Sequence, residues 1–211
     1  MSISHSYSKE EKWNAYSHGL GIVLSILGMV ILFQKDTDSK QFLFGSILVY
    51  SLSLILLFTA STLYHALQNP KLKTKFRIVD HISIYYLIAG TYTPVCLTVL
   101  IDSKGWLLFY LVWGIAFFGT VLKLFFTGKF EVFSLILYGV MGWLVVLDFS
   151  FLSKNMSSDG LLFLALGGAF YTIGILFYVL KKIPYNHLIW HFFVLGGAIC
   201  HWFMIEIEVF L

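Results

Sequence analysis

Three histidines, an aspartate and a serine have the types and spacing for metal-assisted chemistry. His187 and His191, in HLIWH, are four residues apart. On a helix their imidazoles share one face about a turn apart, so both can address a single ion. His65 closes STLYH, and Ser61, four residues earlier, places a hydroxyl one turn deeper on the same face. Three imidazoles with an open fourth position form a zinc set of the catalytic kind. Asp80 can then hold or deprotonate a water at that position, because zinc brings the pKa of water down to about 7.

The remaining histidines are less convergent. His18 precedes Gly19 in the first apolar run and is an additional candidate. His81 adjoins Asp80, so on a helix it points about 100° away and does not share its target. His201 is ten residues beyond His191, roughly 15 Å further along a helix, too deep for the same ion and suited to a hydrogen bond with another span. No HExxH glutamate accompanies the pair, so a zincin protease is not supported. A single histidine near a helix end more often sits at the membrane interface, hydrogen-bonded to water, so the weight falls on whether the elements bring these residues together.

Those elements are membrane spans. Of 211 residues, 59% are hydrophobic and only 12% charged, with mean hydropathy +0.85, whereas soluble domains carry about a quarter charged residues. The net charge of +3 is small and its basic residues fall in short clusters, which gives no footprint for nucleic acid. Cys96 and Cys200 lie inside apolar runs and read as small buried hydrophobes. A span needs roughly 20 apolar residues, and cutting at polar clusters gives seven: 14–33, 42–67, 79–101, 105–126, 131–151, 160–180 and 187–208. The first has span length and no small-residue cleavage site before Gln34, so it is expected to be retained. The fold class is therefore all-α, a single seven-transmembrane bundle over residues 1–211. Its many glycines are expected to serve close helix packing.

Basic residues in short loops stay cytoplasmic. With the N-terminus inside, ten Lys and Arg residues fall on the inner face and four on the outer, which accounts for all 14. This topology ends the second span at His65, begins the third at Asp80 and opens the seventh at His187 and His191, all on the cytoplasmic side. Ionisable groups in a span are costly and mark function by default. Four such residues, distant in sequence, are thus expected at one membrane depth.

The segments NAYSHGLG, STLYHAL, DHISIYYLIAGTYTP and HLIWHFFVLGGAICHW occur in that order across the spans. Together they resemble the hemolysin III branch of the progestin and adipoQ receptor (PAQR) family. The resemblance implies a seven-helix bundle in a bacterial plasma membrane, N-terminus in the cytoplasm, with zinc near the inner leaflet. By motif position the family's zinc ligands fall on His65, His187 and His191, its aspartate on Asp80 and its serine on Ser61. It further implies kinship with alkaline ceramidases, which hydrolyse lipid amides. Receptor members have a long cytoplasmic N-terminal region not seen here.

Three functions follow as expectations. The first is a zinc-dependent hydrolase of a lipid amide or ester, with membrane lipids as partners, Asp80 as general base and Ser61 holding water or oxyanion. The second, suggested by the family name, is a cytolytic protein, although no span shows the continuous polar stripe of a water-filled pore. The third is a sensor of membrane state in which zinc braces three helices.

Overall fold

The computed structural model describes residues 2–211, with side chains from Lys9 onward. The secondary structure of the described residues is entirely helical: α1 (Ser2–Phe33), α2 (Leu43–Ala66), α3 (Pro70–Pro94), α4 (Gly105–Phe126), α5 (Glu131–Trp143), α6 (Phe149–Asn155), α7 (Ser158–Val179) and α8 (Asn186–Glu208). A π-helical turn, Val95–Val99, extends α3, and a 3-10 turn, Leu144–Asp148, joins α5 to α6. Because α5 and α6 form one span, Glu131–Asn155, seven segments among the described residues are long and apolar enough to cross a membrane. The expected bundle is therefore present.

Several helices run past the expected span limits, α1 and α3 most of all. The cluster QNPKLKTKFR, read as a break, is helical from Pro70. Asn69 caps this start, its side chain accepting from the backbone N–H of Lys71 at 3.0 Å and Leu72 at 3.2 Å. Proline at the first helical position needs no N–H partner, so the two residues together nucleate the helix.

The break in the fifth span has its cause on another helix. Tyr92 of α3 donates its hydroxyl to the Gly142 carbonyl at 3.0 Å and accepts the Val145 N–H at 2.8 Å. In lipid, a backbone that leaves α-helical geometry needs partners of this kind. At the same end, Asp148 accepts from the Ser103 hydroxyl at 3.1 Å and the Lys104 N–H at 2.9 Å, which ties the break to the tight α3–α4 turn.

That end of the bundle is pinned around α8. Lys35 pairs with Glu206. Glu208 accepts the Ser157 hydroxyl, and also its N–H at 3.1 Å, at the start of α7. Glycines bring helices together as expected at some positions: Gly28 faces the Trp202 indole and Gly197 the Tyr171 ring. Gly139, Gly142 and Gly168 differ, because a Cβ there would meet nothing within 4 Å; they line an internal cavity instead.

Candidate metal centre

At the opposite end, α2 and α8 converge on three imidazoles. His65 lies in the last turn of α2, while His187 and His191 occupy the first turns of α8. Their ring centroids form a nearly equilateral triangle: 5.1 Å from His65 to His187, 4.9 Å from His65 to His191, and 4.9 Å from His187 to His191. One nitrogen from each lies within 4.8 Å of the others, so the three can hold a metal ion. His65 and His191 are buried, at 5% and 2% exposure, and His187 is half-buried.

Hydrogen bonds select the nitrogen that each buried ring turns to the centre. The His65 Nδ1 lies 3.3 Å from the Glu11 carboxylate, which only accepts, so Nδ1 carries the proton. Its Nε2 is buried without a hydrogen-bond partner. A buried polar atom left bare in this way is costly in the absence of a ligand, and a lone pair facing two more imidazoles fits a metal. His191 follows the same logic: its Nδ1 is 3.2 Å from both the Asn14 carbonyl and the Ser17 hydroxyl oxygen. Ser17 donates its own hydroxyl to Asn14 at 2.9 Å, so its oxygen accepts from the imidazole. Metal-bound histidines commonly donate their other N–H to a carboxylate, a carbonyl or water in this manner.

The three rings line one end of a cavity of about 460 Å³ bounded by α1, α2, α3, α5, α7 and α8. Asp80 and Ser61 line the same cavity. Ser61 is buried and Asp80 half-buried, with the Ser61 hydroxyl close to the Asp80 carboxylate. The structure thus brings all five sequence-derived residues to one chamber. Most of the remaining lining is apolar or aromatic, a surface suited to hydrocarbon.

Other histidines are resolved into distinct roles. His81 donates from Nδ1 to the Arg77 carbonyl at 2.7 Å, and its other nitrogen stands 4.0 Å from Glu131, away from the triad. His201 hydrogen-bonds the Leu164 carbonyl of α7 at 3.4 Å, the contact with another span that its depth implied. His18 stacks on His191 with centroids 3.7 Å apart and planes at 15°.

From α1 the sequence offered only His18 as a candidate and missed the three residues that contact the triad. Glu11, Asn14 and Ser17 lie three residues apart on one helix face, with His18 beside them. A polar stripe running into an apolar helix was the available signal; the charged flank of a first span obscured it.

Comparison with known proteins agrees with this architecture. Residues 6–202 match the family described as Haemolysin-III related. The chain is 40% identical over 209 residues to Hemolysin-3 of Bacillus cereus, covering 97% of this chain and 94% of that one. It is 42% identical over 199 residues to the Hemolysin-3 homolog of Bacillus subtilis (strain 168), covering 93% of each. The human Monocyte to macrophage differentiation factor, a PAQR-family member, is 32% identical over 206 residues, covering 93% of this chain and 83% of that one. A family match over nearly the whole length, with relatives at this identity, makes the chain a member of the haemolysin-III-related family of membrane proteins.

Proposed function

We propose that the protein is a zinc-dependent hydrolase of a lipid amide or ester in a bacterial plasma membrane, with its N-terminus and metal site on the cytoplasmic side. The observation that carries this reading is the three-histidine cluster at one end of a largely apolar cavity that also holds Asp80 and Ser61. His65, His187 and His191 would hold the ion, and zinc there supplies Lewis-acid polarisation of a carbonyl and acidifies nearby water. Asp80 takes a proton from water as its oxygen adds to the carbonyl carbon. The C–N or C–O bond then breaks, and the same proton passes to the departing amine or alcohol. Ser61 steadies the Asp80 carboxylate and offers a donor at the developing oxyanion. The apolar walls take the hydrocarbon part of a membrane lipid. The basic clusters offer no surface for nucleic acid.

The test pairs metal content with turnover. Purified wild type is expected to carry about one zinc per chain and to release product from a lipid amide or ester; His187→Ala is expected to lose both. A folded wild type without zinc would end this reading.

The names of the Bacillus relatives favour a second reading, cytolysis. Under the hydrolase reading, lysis follows from altered lipids. Reconstituted protein is then expected to show no unitary conductance in single-channel recording, and discrete openings would instead establish a direct pore. A purely structural zinc in a membrane-state sensor would give zinc without turnover.

A further inference from the structure

The first helix supplies none of the three clustered ligands, yet it touches two of them. One contact is made by a carboxylate: Glu11 of α1 reaches the Nδ1 of His65 at 3.3 Å and also pairs with the oppositely charged Lys73 near the start of α3. Lys73 is itself fixed, donating to the Tyr64 carbonyl at 2.9 Å and lying 4.8 Å from the centroid of the Tyr64 ring. The Glu11 side chain is only 16% exposed and the His65 side chain 2%. The contact is therefore shielded from the screening that makes surface pairs weak.

We infer that Glu11, held in place by Lys73, is a positioning residue that fixes the proton of His65 on Nδ1 and turns a more electron-rich Nε2 toward the metal. This rests on the metal-site reading above but not on hydrolysis. A carboxylate on the far nitrogen fixes the tautomer, restrains ring rotation and raises ligand basicity, and loss of such a partner typically lowers metal affinity about 10- to 100-fold. The carbonyl of Asn14 and hydroxyl of Ser17 do the same for His191 without a charge. His65 is thus the ligand whose strength depends on an ionised neighbour. A tie that merely fastened α1 to α3 would need Lys73 and Glu11 but not the imidazole between them and the centre.

The experiment measures zinc affinity of the full chain in detergent by competition with a chromophoric chelator. It also records the visible spectrum of the cobalt-substituted protein and the melting temperature without metal. Wild type is compared with Glu11→Gln, Glu11→Ala, Lys73→Gln and Glu10→Gln. Glu11→Gln is close to isosteric and its amide oxygen can still accept from Nδ1, so it separates loss of charge from loss of fold. The expected order of affinity is wild type and Glu10→Gln together, then Lys73→Gln, then Glu11→Gln, then Glu11→Ala, with the last about 10- to 100-fold below wild type. The cobalt bands should shift in Glu11→Gln.

Wild-type affinity and unshifted bands in Glu11→Gln would overturn the inference while leaving the metal site intact. Equal affinity losses in Lys73→Gln and Glu11→Gln would overturn it in favour of a simple helix tie. A wild type that binds no metal would remove the metal site itself, and this inference with it.

Discussion

The imidazole of His18 lies flat against that of His191, with centroids 3.7 Å apart and planes at 15°. Ring lone pairs lie in the ring plane, so those of two stacked imidazoles run nearly parallel and do not converge on an ion about 2 Å from each nitrogen. Both His18 nitrogens are buried without a hydrogen-bond partner. His18→Phe keeps the stack and removes two unsatisfied polar atoms. It is expected to retain wild-type metal content, with stability neutral or raised by up to about 1 kcal/mol. Metal analysis and a thermal melt check this, and loss of metal in that variant would make His18 a ligand after all.

Because the ligands come from α2 and α8, a bound ion joins two helices that are distant in sequence. Anything that binds only the folded state stabilises it, by about 2.7 kcal/mol at a hundredfold excess over Kd. Chelator is therefore expected to lower the melting temperature and zinc to restore it. His65→Ala should melt at the same temperature with or without zinc.

In the proposed mechanism Asp80 handles the proton and not the ion. Asp80→Asn is accordingly expected to hold about one zinc per chain while lipid hydrolysis falls roughly 10²- to 10⁴-fold, the usual contribution of a general base. Zinc loss in this variant, measured by mass spectrometry, would place the carboxylate among the ligands.

Tyr92 satisfies both a carbonyl and an N–H at the break between α5 and α6. Tyr92→Phe keeps the ring and strips both partners, at an expected cost of about 1–3 kcal/mol. Thermal unfolding in detergent measures it. An unchanged midpoint would mean that the 3-10 turn is held by packing alone.

Much of the centre was legible because polar residues stand out against oil. His65, Asp80, His187 and His191 interrupt apolar runs, and counting spans places them at one end of the bundle. Ser61 followed from helical spacing alone. What stayed hidden depended on contacts across helices. Glu11 and Ser17 sit where a first span normally meets water, so their types carried no surprise until the fold showed the imidazoles above them. The interruption of the fifth span has no proline at its site; its cause is a tyrosine more than fifty residues earlier, which no local pattern encodes. The early start of α3 was written in Asn69 and Pro70, but the lysines that follow outweighed it.

The pairing of Ser17 with His191 spans 174 positions of the sequence, and this constrains the order of events during synthesis. The segment that orients this imidazole is among the first to enter the bilayer, and the imidazole itself is among the last. Until α8 has been inserted, α1 holds an empty set of acceptors and α2 a single histidine, too little for a firm hold on any ion. Metal capture at such a site would therefore be a late step of biogenesis, taken once α8 has joined α1 and α2, and an occupied site would certify that these helices have assembled.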